Sequence, residues 1–363
     1  MELDNLLKTM IGKGASDLQL KVGRPPILRI TGEIVVEKMD KLSDKDTKEM
    51  LEGIMDDEHK KRFDERRWVD VSYSIPGVSR FRVSIFHQRG TIAAVFRAIP
   101  FEVPTIDALE LPEILKDLAL APHGLILVTG PAGAGKSTTL AAMIEYINQN
   151  RPCHIVTIED PIEFLFKDKK ATVTQKELGS DTFSMNDALI SLFRQDPNVI
   201  WIGEMRDIDT FKVAMRAAET GHLVLSTLHT SSADQTIDRM ISIFPVEQQQ
   251  QIRVQLSLTL QGIISQRLLR RKDEKGRVAA FEVMVSSPSI KKLIEEHNLS
   301  KIHDTIFSSV IQYRMQTLEQ SLAALLKNEV INYKEALSSC NNIDELRRAL
   351  RSINLDEQMF QEG

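Results

Sequence analysis

The segment Gly130-Pro131-Ala132-Gly133-Ala134-Gly135-Lys136-Ser137, followed by Thr138, carries the spacing G-x-x-x-x-G-K-[ST]. That spacing builds a cradle for phosphate. The glycines let successive backbone N–H groups turn inward around an anion, and a helix starting at Ser137 aims its positive end at the same charge. Lys136 reaches the β and γ phosphates of a nucleotide, and the Ser137 hydroxyl is a ligand for Mg²⁺. Ala132 and Ala134 stand where backbone N–H groups do the binding, so their side chains matter little. From average residue frequencies a chance match is on the order of 1% for a chain this long. A nucleotide with Mg²⁺ is therefore the expected ligand.

Carboxylates and imidazoles follow at intervals. Asn198-Val199-Ile200-Trp201-Ile202-Gly203-Glu204 is an apolar run ending in a carboxylate. In phosphate-loop enzymes a carboxylate at such a strand end holds Mg²⁺, often through water, and Gly203-Glu204 stands where an Asp is usual. Ile155 to Glu163 runs an apolar strand into Glu159, Asp160 and Glu163, with Pro161 fixing the turn. One of these orients the attacking water, Glu163 being favoured and Glu159 the alternate. Thr220 to Thr230 places His222 and His229 at the two ends of one strand. Imidazoles so placed can report on a γ-phosphate, and no Cys or carboxylate spacing makes them a metal pair. In Arg80-Phe81-Arg82-Val83-Ser84-Ile85, alternation puts Arg80, Arg82 and Ser84 on one face, with Arg97 on the next strand. Such a face is either solvated or the source of an arginine finger, whose planar fork offsets transition-state charge on a phosphate.

The elements that must position these groups change character along the chain. Residues 1–98 read as a small α+β domain. A short helix over Leu3 to Ile11 precedes strands at Asp17 to Val22, Ile27 to Ile30 and Glu33 to Val36. Ser43 with Asp46 opens a helix to about Met55 by a capping box, and a meander follows over Trp68 to Ile75, Ser79 to Gln88 and Thr91 to Ile99. Residues 99–106, with two prolines, read as a linker. Residues 107–285 alternate strands with helices. The strands fall at Leu125 to Thr129, His154 to Ile158, Val199 to Ile202 and Leu223 to Thr227. The helices lie over Ser137 to Ile147, after Ser184, and from Ile208 to Glu219. This is βαβ logic and predicts a largely parallel sheet covered by helices, an α/β fold. Residues 286–363 read as helical, starting at Ser287-Pro288, with a last helix at Asn342 and Glu345.

The chain has 363 residues, enough for two domains. A net charge of -5 gives no general pull towards nucleic acid. Cys153 and Cys340 cannot make a disulfide framework or a four-cysteine zinc site, which fits a reducing compartment. The N-terminus has no apolar signal core, and the longest uncharged run, Leu118 to Gly135, is broken by prolines and glycines. No direct membrane insertion is expected, so any membrane role runs through a partner.

The order of these motifs resembles that of the secretion ATPase superfamily. Thr157 to Glu163 is similar to its Asp box, Val199 to Arg206 to its Walker B strand and Thr220 to Thr230 to its His box. The likeness extends from Gly14-Ala15-Ser16-Asp17-Leu18 to Met315-Gln316-Thr317, and lies nearest the retraction ATPases of type IV pili. It implies a PAS-like N-terminal domain, a RecA-like ATPase domain and a helical C-terminal appendage, with ATP and Mg²⁺ as cofactors. It also implies a homohexameric ring, with ATP between the two domains and Arg82 and Arg97 facing it. Glu163 is then the catalytic glutamate and Glu204 the Walker B residue, and His222 and His229 are the His-box pair. Hydrolysis would turn an inner-membrane pilus platform protein from its cytoplasmic face, powering twitching motility. A short N-terminal part and the lack of a four-cysteine zinc motif separate the chain from extension and type II secretion motors. Ser289-Ile290-Lys291-Lys292-Leu293-Ile294 is similar to the retraction motif Ala-Ile-Arg-Asn-Leu-Ile, with Ser, Lys and Lys as departures. An accessory retraction paralogue or a related pilus-extension or type II secretion assembly ATPase is the alternative, and a scaffold that binds ATP without hydrolysing it is disfavoured because Lys136, Glu163 and Glu204 are all present.

Overall fold

A computed structural model describes residues 2–30, 32–99 and 102–355. The chain forms two compact units, Met1–Glu102 with Glu163–Leu165, and Val103–Ile162 with Phe166–Gly363. Of the expected linker, residues 100 and 101 lie outside the described residues, as do residues 356–363 of the expected helical tail.

In the first unit, helix α1 (Leu3–Gly12) buries Leu3, Leu6, Leu7 and Met10, one face of a 3.6-residue period. Strands β1 (Ala15–Leu20), β2 (Ile27–Ile30) and β3 (Glu33–Val36) precede α2 (Asp44–Glu52) and α3 (Asp57–Arg66). The meander β4 (Trp68–Ile75), β5 (Ser79–Gln88) and β6 (Thr91–Ile99) completes a sheet of order β3-β2-β1-β6-β5-β4, antiparallel throughout. The Ser43 capping box forms: the Asp46 N–H donates to Ser43 Oγ at 3.1 Å, and the Ser43 N–H to Asp46 Oδ2 at 2.8 Å. The helix it opens stops at Glu52 rather than near Met55. The chain then makes α3, a helix not expected from the sequence, whose only buried residue is Phe63 and which the Asp56 carboxylate caps.

The second unit contains α4 (Ile114–Ala119), β7 (Gly124–Thr129), α5 (Lys136–Asn150), β8 (His154–Glu159) and β9 (Thr172–Glu177). Helix α6 (Met185–Leu192), β10 (Val199–Ile202), α7 (Ile208–Glu219) and β11 (Leu223–Leu228) follow, then α8 (Ala233–Ser242) and α9 (Val246–Thr259). Two strands not foreseen, β12 (Leu260–Arg270) and β13 (Arg277–Val285), form a hairpin. The sheet runs β13-β12-β7-β11-β10-β8-β9, and β13 alone is antiparallel. Strands β7, β10 and β11 are buried over their whole length, as strands covered on both faces must be.

Helices α10 (Pro288–Glu295), α11 (Ile302–Ser308), α12 (Val310–Tyr313), α13 (Leu318–Lys327), α14 (Tyr333–Ser339) and α15 (Ile343–Ser352) follow. Ser287 caps α10, with Pro288 in its first turn. Asn342 caps α15 through the Asp344 N–H. The tail is tied to the hairpin: the Phe281 N–H donates to Ser321 Oγ at 3.1 Å, and the Arg270 N–H to Glu335 Oε1 at 2.9 Å. Leu269 and Ala280 share a buried cluster with Leu318, Leu322 and Leu326. On β13, Glu282 is 2% exposed and accepts the first free N–H of α8, from Ala233, at 2.6 Å. Burial pushes this carboxyl up to about 7; nearby Asp234 and Glu319 add to the rise, while the Ala233 N–H and His303 oppose it. No helix among the described residues is long and apolar enough to cross a membrane.

Candidate nucleotide site

The carboxyl ends of parallel strands are where an α/β sheet places its ligands. Here β7 ends in the phosphate loop, β8 in Glu159, β10 in Gly203-Glu204 and β11 in His229. Gly135, with φ +87°, leads into α5 at Lys136, so the loop curls and the helix starts against it. Gly130 has φ +144°, and a Cβ there would stand 2.4 Å from the backbone oxygen of Gln266 on β12. The loop therefore sits directly on the strand beside it.

Lys136 is nearly buried. Its Nζ donates to the carbonyls of Gly130 (2.9 Å) and Pro131 (3.1 Å) and stands 3.4 Å from His229 Nδ1. On the other side of that ring, His229 Nε2 lies 3.1 Å from Glu204 Oε1. The second Glu204 oxygen accepts from Arg206 Nε at 2.8 Å. Lysine, imidazole and carboxylate thus form one polar chain from the phosphate loop to the end of β10. The backbone fixes its far end: Thr227 Oγ1 donates to the Gly203 carbonyl at 2.7 Å, and a Cβ at Gly203 would lie 3.2 Å from the Ile158 carbonyl.

The remaining candidates fall in different places. Glu159 is buried, and its Oε1 accepts from Thr157 Oγ1 (2.6 Å) and Gln175 Nε2 (3.0 Å). Glu163 is exposed and groups with the first unit. His222 stands at the opposite end of β11 from His229, a strand length of roughly 20 Å at about 3.3 Å per residue. Its Nδ1 lies 3.0 Å from the Ala217 carbonyl, and its ring meets Phe193 edge-on. In the first unit, Arg82 and Arg97 are register partners on β5 and β6, and Phe81, Val83 and Ile85 are buried on the other face, as alternation predicts. Arg97 Nε donates to the buried Asp17 at 2.8 Å, and Arg82 pairs with Asp70 at 3.4 Å.

Two contributors were not foreseen. Arg206 bonds Glu204, as described. Gln266 is 2% exposed, and its Nε2 donates to the Ala134 carbonyl at 2.6 Å. A signal was present: Ser265-Gln266-Arg267 is a polar insert between the apolar pairs Ile263-Ile264 and Leu268-Leu269. A cavity of about 280 Å³ beside the loop is lined by Gly135, Thr138, Thr139, Gln266, Leu268 and Arg277, among others.

The chain is 44% identical to the type IV pilus retractation ATPase PilT of Pseudomonas aeruginosa, over 93% of this chain and 97% of that protein. It is 40% identical to the type IV pilus ATPase PilU of the same organism, over 97% of this chain and 92% of the relative. Its structure matches that of the pilus retraction motor PilT with bound ADP at a TM-score of 0.88 and 45% identity, covering 96% of this chain and 99% of that one. The family described as "Type II/IV secretion system protein" matches residues 80–336. A phosphate loop, a carboxylate strand and a histidine strand in this order, in a chain aligned nearly end to end with those motors, place the protein in the type II/IV secretion system protein family.

Proposed function

We propose that this chain is an ATPase that powers type IV pilus retraction. The observation that carries the enzymatic reading is the Lys136–His229–Glu204 chain, which links the residue that holds phosphate to the carboxylate at the neighbouring strand end. Likeness over almost the full length to a pilus retraction motor supports the mechanical part. The phosphate-loop N–H groups and Lys136 bind and orient the phosphates, and the cavity beside Thr138 and Leu268 receives the base. The donor set for Mg²⁺ is all oxygen, the Ser137 hydroxyl and the Glu204 carboxylate, which suits a hard cation. One Glu204 oxygen already faces the Arg206 guanidinium and the other the His229 ring, so the carboxylate would act through water. The ion, when bound, offsets charge on the β and γ phosphates.

Glu163 orients the attacking water. His229, between Lys136 and Glu204, senses whether the γ-phosphate is present, and His222 carries that state to the far edge of the sheet. Arg82 and Arg97 supply positive charge to the phosphates from a neighbouring subunit. The working assembly is a homohexameric ring at the cytoplasmic face of the inner membrane, acting on the pilus platform protein. Residues 1–98 serve as a PAS-like domain, 99–106 as the linker, 107–285 as the RecA-like motor and 286–363 as the helical appendage. The PilU likeness favours a second reading, an accessory retraction ATPase.

Mg²⁺-ATP hydrolysis per subunit, measured against protein concentration with Glu163→Ala as control, tests the enzyme. Activity that rises with concentration and vanishes in the variant is expected, and no activity at any concentration in assembled rings contradicts the reading. Deletion in cells tests direction. Hyperpiliated, non-twitching cells are expected for a main retraction motor and bald cells refute it.

A further inference from the structure

We propose that Gln266 is a positioning residue of the phosphate loop: it holds the Ala134 carbonyl so that the Gly135 N–H faces the phosphate. The inference rests on the nucleotide reading above and adds a residue from outside the loop motif.

The geometry is specific. Gln266 lies on β12, next to β7, where Ser265 is the register partner of Thr129 and their hydroxyls meet at 2.9 Å. The loop leaves β7 one residue later and passes over Gln266 twice. At Gly130 the backbone lies so close to the Gln266 carbonyl that a Cβ would be 2.4 Å from it. At Ala134 the carbonyl oxygen accepts from Gln266 Nε2 at 2.6 Å. A carbonyl oxygen only accepts, so the amide nitrogen must face it. The peptide from Ala134 to Gly135 is planar and trans, so fixing its C=O on one side fixes the Gly135 N–H on the other. That N–H is thereby turned away from the Gln266 amide.

Packing does not explain a glutamine here. Gln266 is 2% exposed, and its Oε1 has no hydrogen-bond partner among the described residues. A buried oxygen without a partner is a cost that leucine or methionine would avoid. The Nε2 donor, which neither can supply, accounts for the residue.

The test is competition binding of ADP and AMP to the full-length ring, comparing wild type with Gln266→Met. Methionine keeps length and volume and removes the donor. ADP affinity is expected to fall about tenfold, the scale of one buried hydrogen bond, with AMP, which lacks the β-phosphate, changed less than twofold. Equal losses for both would show that Gln266 only shapes the cavity and would overturn the proposal, as would unchanged ADP binding. Should Gln266→Met not assemble, Gln266→Glu is used. Its carboxylate cannot donate, so the ADP deficit relative to wild type should shrink as pH falls and the neutral acid donates again. A deficit independent of pH overturns the proposal. A wild-type ring that binds no ADP would instead sink the nucleotide reading itself.

Discussion

Replacing Glu282 by Gln should flatten the pH dependence of stability. This carboxyl is buried at the start of α8, the helix that follows the His-box strand, and holds the Ala233 N–H. Its pKa is pushed from an ordinary 4.5 to about 7, first by burial. Each pKa unit is worth about 1.4 kcal/mol, so the difference amounts to roughly 3 kcal/mol. The sign follows from proton binding. Between these two values the folded chain holds a proton that the unfolded chain has released. The contribution is therefore complete below the unfolded value and is lost as pH rises through about 7. Glutamine keeps the acceptor for Ala233 and never ionises. Urea unfolding of both proteins at one concentration, from about pH 5 to about pH 8.5, should show the variant gaining on wild type by roughly 3 kcal/mol. A difference between them that stays level across that range would refute the argument. Asp234, Glu319 and His303 also face Glu282, and His303 is itself raised, chiefly by the Glu319 carboxylate. His303→Gln should move the Glu282 loss to higher pH, because it removes the cation that opposes the rise, and should abolish the separate loss that His303 itself contributes as it deprotonates.

Other variants probe the site and the loop. Lys136→Ala should weaken ATP binding by at least about tenfold in competition assays, since one charge-assisted contact to phosphate is lost. Glu204→Gln should bind nucleotide normally yet hydrolyse it roughly a hundredfold more slowly, and a variant with full turnover would remove the carboxylate from the mechanism. Gly130→Ala should destabilise the second unit by roughly 3 kcal/mol in denaturant titration, combining a left-handed backbone with a clash against a main-chain oxygen. His229→Ala should change ATP affinity, whereas His222→Ala should leave it unchanged and act only on turnover in rings; mixed Arg82→Ala and Glu163→Ala rings should regain activity if the arginine works across subunits.

The placement of the phosphate loop, Glu204 and His229 at the ends of strands was legible because the signal is local. Each is a short run whose residue types and strand context mark it as a candidate. The Ser43 cap and the burial of Phe81, Val83 and Ile85 were legible for the same reason. Helix α3 was hidden because its sequence, Asp57 to Arg66, offers one buried side chain and no apolar stripe. The role of Gln266 was hidden because it depends on strand order. Ala134 and Gln266 are 132 residues apart, and nothing in either segment says that β12 lies beside β7. The two histidines read as a pair because they flank one strand, but that strand also holds them a strand length apart, and His229 is the one that stands beside Lys136 and Glu204.

The β12 strand has a mechanical consequence. Gln266 grips the phosphate loop, while its neighbour Arg267 bonds the Ser339 carbonyl and the Asn341 side chain in the tail. Successive residues of a strand face opposite ways. One peptide unit therefore joins the phosphate loop on one side to the C-terminal helices on the other. A tilt of that peptide as nucleotide changes would reach the appendage without passing through any long loop.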